Sequence, residues 1–162
     1  MITLITGGAR SGKSTLAERL AAERGLPVSY LATAHVDDED MAERVRQHKE
    51  RRPTDWMTLE VGTELVPALT ELDGLAIVEC LGTWVADFPD FATDTEGLLI
   101  ALRSRHGDTI VVTNEVGLGV HPYTEVGRRF RDALGNVNRA VAEISDEVLL
   151  VVSGRVLRLD PQ

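Results

Sequence analysis

Short runs of aliphatic and β-branched residues alternate along this chain with longer stretches whose apolar positions recur at helical spacing. That alternation predicts strand–helix units around a largely parallel sheet. "ITLIT" reads as a buried first strand, followed by a helix from Ser14 to Arg24 that Gly25 closes. "VSYLATA" after Pro27 is a second strand. Asp37 and Asp38 can cap a helix running towards Arg52, where Pro53 ends it. "WMTLEV" is a shorter strand, and the following helix runs from Thr63 to Leu72, with Pro67 tolerated only near its first turn.

In the second half, "LAIVECL" predicts a core strand and the stretch from Trp84 to Asp94 an irregular connection. A helix through "TEGLLIALRSRHG" leads to the strand "TIVVTNEV" and the loop "GLGVHPYT". The longest helix covers Glu125 to Ile144. "EVLLVVSG" and "RVLRLD" form a closing hairpin turned at Ser153 and Gly154.

At 162 residues, with 43% hydrophobic and 27% charged residues, the chain is expected to form one domain spanning positions 1–162. No apolar run is long enough for a membrane span and no secretory signal precedes the first strand, so a cytoplasmic location is expected. The single cysteine, Cys80, lies in an apolar run and reads as a small buried hydrophobe. A net charge of -9 argues against a nucleic-acid partner. It also requires any polyphosphate site to build its own positive field.

Gly7, Gly8, Ala9, Arg10, Ser11, Gly12, Lys13 and Ser14 satisfy G-x-x-x-x-G-K-[ST] between a predicted strand and a predicted helix. Glycines there let backbone N–H groups surround phosphates, and the helix N-terminus adds partial positive charge. Lys13 is placed for the outer phosphates and the Ser14 hydroxyl for Mg²⁺. An aspartate ending a buried strand, the usual support for that ion, is missing. Glu79, ending "LAIVE", is the nearest equivalent, and two readings stay open for it: a metal ligand, or a strand-end carboxylate facing solvent.

Of the 17 basic residues only Lys13 and Lys49 are lysines. Lys49 lies in a cluster with Arg44, Arg46, Arg51 and Arg52, which encloses His48. Like charges disfavour imidazolium, and neutral imidazole is a nucleophile. His48 is thus a candidate for attack on phosphorus, beside the plainer readings of a surface or hydrogen-bonding histidine. His35, His106 and His121 stand outside any such cluster.

In order and spacing, "TGGARSGKS", "YLATA", "DDEDMAERVRQHKERRPTDW", "VEC", "VVTNEVGLGVHP" and "RRFRDALGNVNRAVAEISDEVLLVVSG" resemble bifunctional adenosylcobinamide kinase/adenosylcobinamide-phosphate guanylyltransferases over nearly the whole chain. The resemblance implies an α/β fold, a P-loop NTPase-like, mostly parallel sheet flanked by helices with a C-terminal antiparallel hairpin. It implies phosphorylation of adenosylcobinamide by ATP or GTP, then transfer of GMP from GTP through a guanylylated His48 to adenosylcobinamide phosphate, with Mg²⁺. Nucleotide contacts are implied at Gly7 through Ser14, at Ala32, Thr33 and Ala34, at Lys49, Glu50, Arg51 and Arg52, and at Glu60 and Glu79, the last then as a ribose or base ligand. A corrinoid substrate and a homotrimer are implied as well. The chain departs from the family after "VEC", where "LGTWVADFPDFATD" is shorter and more acidic than usual. That segment bears on kinase activity and trimer geometry, so one alternative is a guanylyltransferase without the kinase step; a separate alternative, of another class, is a nucleotide-dependent switch.

Overall fold

The computed structural model describes residues 1–25, 27–34, 46 and 53–161. Seven strands form one sheet: β1 Ile2–Gly7, β2 Val28–Ala32, β3 Met57–Glu60, β4 Leu75–Glu79, β5 Thr109–Val112, β6 Glu147–Val152 and β7 Arg155–Leu159. Their spatial order is β3-β2-β4-β5-β1-β6-β7. All neighbours are parallel except β6 and β7. The hairpin turns at Ser153 and Gly154, both at positive φ, as a two-residue turn between right-twisted strands requires.

The helices are α1 Lys13–Glu23, α2 Leu65–Glu71, α3 Leu81–Ala86, α4 Thr95–Ser104 and α5 Glu125–Ile144. Each central strand buries both faces, which is why β1, β4 and β5 read as continuous apolar runs. On one face Ile5, Ile77, Ile110 and Val112 pack with Leu16, Ala17 and Ala21 of α1. On the other, Leu4, Val78 and Val111 pack against α2 to α5, where Leu134, Val137 and Val141 supply the inward stripe of the longest helix.

Most predicted elements are found, and four differ. β2 stops at Ala32 and β5 at Val112, although single backbone bonds to the neighbouring strands continue beyond them, from Thr33 N to the Glu79 carbonyl and from Thr113 N to the Ile5 carbonyl. The run "LAIVECL" stops at Glu79, and the stretch from Trp84 to Asp94 is less irregular than expected. Cys80 caps α3 through reciprocal bonds with Thr83, and Leu81, Trp84 and Val85 at helical spacing are fully buried. Capping and burial together make that stretch a core helix, followed by a single 3-10 turn at Pro89–Phe91. The helix expected between Asp37 and Arg52 lies outside the described residues apart from Arg46, which is helical and exposed.

At the N-terminal ends of the strands, Arg105 ties the connections together. Its guanidinium donates to the carbonyls of Leu72 (3.2 Å), Gly74 (2.9 Å) and Asp108 (2.8 Å) and to the Thr109 hydroxyl (2.7 Å). The opposite ends of the strands are thereby left to gather polar groups.

Candidate functional site

One register row crosses the C-terminal edge of the sheet: Glu60 beside Ala32, Ala32 beside Glu79, Glu79 beside Val112, and Val112 beside Ile5. Residues far apart in sequence thus end their strands at one level, the position where open α/β sheets bind ligands. Gly7 continues β1 into the loop 8–12, and Lys13 begins α1.

The loop is shaped by its backbone. Gly7, Arg10 and Gly12 have φ of 152°, 57° and 103°, and such values turn successive N–H groups to one side. A Cβ on Gly7 would collide with the Val151 carbonyl, so the position is closed to other residues. From outside, the β6–β7 turn braces the loop, Gly154 N donating to the Ser11 carbonyl at 2.9 Å. Lys13 is buried, and its Nζ donates to the Gly8 carbonyl at 2.7 Å. Burial lowers its ammonium pKa, and the nearby Glu79 carboxylate opposes that shift.

Glu79 is turned into the protein edge, where its Oε1 accepts a 2.8 Å hydrogen bond from the Ser14 hydroxyl. A hydroxyl and a carboxylate oxygen side by side are hard donors suited to Mg²⁺, which keeps most of its shell as water and phosphate oxygen. Among the described residues no group of three or more His, Cys, Asp or Glu side chains is placed to hold a metal ion by itself.

Thr33 holds the turn after Glu79. Its N–H donates to the Glu79 carbonyl (3.0 Å), its hydroxyl donates to the Cys80 carbonyl (2.7 Å), and Cys80 N donates back to that hydroxyl (2.8 Å). The Thr83 hydroxyl joins the group at 2.6 Å from Thr33 Oγ1. Cys80 is buried, and desolvation followed by the neighbouring Glu79 charge pushes its thiol pKa up. No sequence spacing signals the part played by Thr33, because it follows β2 while Cys80 and Thr83 open α3.

The structure therefore brings together Gly7, Gly8, Ala9, Arg10, Ser11, Gly12, Lys13, Ser14, Ala32, Thr33, Ala34, Glu60 and Glu79 along one edge. Glu60 is exposed at the far end of that row. His48, Lys49, Glu50, Arg51 and Arg52 lie outside the described residues. His106 and His121 are exposed, the latter 3.0 Å from the Arg131 guanidinium.

A phosphate loop leaving a buried strand, with an acidic strand end two strands across, defines a protein of the P-loop NTPase type. Solved structures agree on the fold. A prototypical ATPase from the type III secretion system of pathogenic bacteria superposes with a TM-score of 0.56 at 12% identity, over 92% of this chain and 50% of that one. This chain thus spans about half of that ATPase. The flagellar accessory protein FlaH of Methanocaldococcus jannaschii gives 0.51 at 13% identity, over 96% and 74% of the two chains. The profile of the family described as cobinamide kinase / cobinamide phosphate guanyltransferase matches residues 3–159, and the chain belongs to that family. The bifunctional adenosylcobalamin biosynthesis protein CobP of Pseudomonas aeruginosa is 44% identical over 95% of this chain and 94% of its own length. CobU of Salmonella typhimurium, also named bifunctional, is 38% identical over 95% and 97%.

Proposed function

We propose that this chain phosphorylates adenosylcobinamide with a nucleoside triphosphate and then transfers GMP from GTP to adenosylcobinamide phosphate, through a guanylyl group carried on His48. The observation that carries the reading is the pairing of the phosphate loop with Ser14 and Glu79 at one sheet edge, in a chain matched by the family over residues 3–159.

The loop 8–12 and the α1 N-terminus present N–H groups to the phosphates, and Lys13 adds a compact positive charge at the outer ones. Ser14 and Glu79 would hold Mg²⁺, which when bound neutralises charge on the phosphate oxygens. Phosphorylation needs little beyond this positioning. Guanylylation is different chemistry: the imidazole nitrogen of His48 forms a bond to the α-phosphorus while pyrophosphate leaves with the electron pair of the broken P–O bond. The adenosylcobinamide phosphate oxygen then attacks the same phosphorus and releases neutral imidazole. Splitting the transfer in this way replaces one displacement at the α-phosphorus by two, each with its own nucleophile and leaving group. The same reading makes the protein a homotrimer in the cytoplasm.

Incubation with α-labelled GTP and Mg²⁺ tests the intermediate. The expected product is a protein-bound phosphoramidate, stable in alkali and labile in acid, which His48→Ala abolishes while leaving cobinamide phosphorylation measurable. A label retained in His48→Ala would move the nucleophile to another residue. A protein that takes no label and phosphorylates no cobinamide would be a nucleotide-dependent switch.

A further inference from the structure

β5 lies between β1 and β4, so its C-terminal end emerges between the phosphate loop and Glu79. The pairing with β1 continues past the strand: Thr113 N donates to the Ile5 carbonyl at 2.9 Å and Glu115 N to the Gly7 carbonyl at 3.0 Å. Asn114 sits between these two anchors and is held from a third direction. Asn138 of α5 donates through Nδ2 to the Asn114 carbonyl (3.0 Å) and accepts at Oδ1 from the Thr113 hydroxyl (2.6 Å). A backbone carbonyl can only accept, so this orientation of the Asn138 amide is the one that satisfies both bonds.

The side chain of Asn114 has no such commitment. Its carboxamide is partly exposed and has no hydrogen-bond partner among the described residues. It lies against the start of α3, where a Cβ on Gly82 would stand 3.2 Å from its Nδ2. An alanine at position 82 would therefore press on the amide and shift it slightly. The backbone that carries this unpartnered donor is thus held by β1 and α5, between the phosphate loop and Glu79.

We propose that Asn114 contacts the γ-phosphoryl group during phosphorylation of the corrinoid alcohol, and that Asn138 is the positioning residue that aims it. This rests on the kinase reading above. In the step, the alcohol oxygen forms a bond to the γ-phosphorus while the bond to the β,γ-bridging oxygen breaks. The electron pair leaves with the nucleoside diphosphate, and the alcohol proton passes to bulk water. Asn114 Nδ2 donates to a γ-phosphoryl oxygen and exchanges no proton, acting where charge moves in the transition state.

The test is steady-state phosphorylation of adenosylcobinamide by the full-length wild type, Asn114→Ala, Asn138→Ala, the double variant and Gly82→Ala, with thermal melts of each. Asn114→Ala should lower kcat about 100-fold with the nucleotide KM within about threefold of wild type. Asn138→Ala and Gly82→Ala should each lower kcat about tenfold or more. The double variant should be no worse than Asn114→Ala, since Asn138 acts through Asn114. Asn138→Asp, which keeps the acceptor for Thr113 and loses the donor to Asn114, should behave like Asn138→Ala. An unchanged kcat in Asn114→Ala, or losses that multiply in the double variant, would overturn the assignment. A wild type inactive towards cobinamide would instead remove the kinase reading on which it stands.

Discussion

The Ser14 hydroxyl lies 2.8 Å from Glu79 Oε1, although the two residues are 65 positions apart. One belongs to the first turn of α1, which follows β1, and the other ends β4, and β5 lies between those two strands. If this pair holds Mg²⁺, Glu79→Gln and Ser14→Ala should each raise the half-saturating Mg²⁺ concentration about tenfold and lower kcat about 100-fold. Magnesium titrations of the GTP reaction check this. A higher GTP KM with an unchanged magnesium requirement would place Glu79 on the ribose or base, as the resemblance implies.

Gly7→Ala should damage the loop and the fold together. The new Cβ would meet the Val151 carbonyl at a φ of 152°, and neither backbone can yield without disturbing the β1–β6 pairing. A loss of about 2–4 kcal/mol in urea unfolding is expected. Gly8→Ala, which meets nothing within 4 Å, should cost far less. Equal losses in the two variants would remove the steric argument.

Arg105→Ala should destabilise the protein by about 2–4 kcal/mol, because the carbonyls of Leu72 and Gly74 and the Thr109 hydroxyl lose a charged donor together. Burial holds the Arg105 guanidinium below its ordinary pKa, with Asp73 and Asp108 pulling the other way. Lysine cannot reproduce a planar fork of donors, so Arg105→Lys should recover less than half of the loss. Full recovery by lysine, read from denaturation midpoints, would show that charge alone matters.

Asp108 gives the protein an acid-sensitive joint. It accepts from the Met1 ammonium at 2.9 Å and from Arg24 at 3.0 Å, and the ammonium hydrogen bond is the leading reason its carboxyl pKa is depressed. A carboxyl with a lower pKa in the folded state binds fewer protons there than in the unfolded chain, so its stabilisation is present above the unfolded value of about 3.9. That stabilisation is lost as pH falls from there through the folded value. Asp108→Asn should therefore lose less stability than wild type between pH 6 and pH 3, by urea denaturation at each pH. Parallel losses would assign the acid response to other carboxylates.

The phosphate loop was legible because its chemistry is local. Turn glycines, a lysine and a helix start lie within eight consecutive residues, and a short segment can specify its own backbone shape. The long helix was legible for a similar reason, since Phe130, Leu134, Val137 and Val141 repeat at helical spacing and need only one apolar surface to face. Where such signals compete locally, the reading failed. The run through Cys80 and Leu81 looked like strand, but reciprocal bonds between Cys80 and Thr83 begin a helix that buries Trp84.

By itself the sequence determined the alternating strands and helices, the phosphate loop and the family, because each is written in neighbouring or periodic positions. Only the tertiary structure decided that Glu79 meets Ser14, that Thr33 clamps the turn at Cys80, and that Asn138 bonds the Asn114 carbonyl beside the loop. Those contacts depend on strand order and register, which are fixed by how the apolar faces of the whole chain pack. No short stretch of residues carries that information.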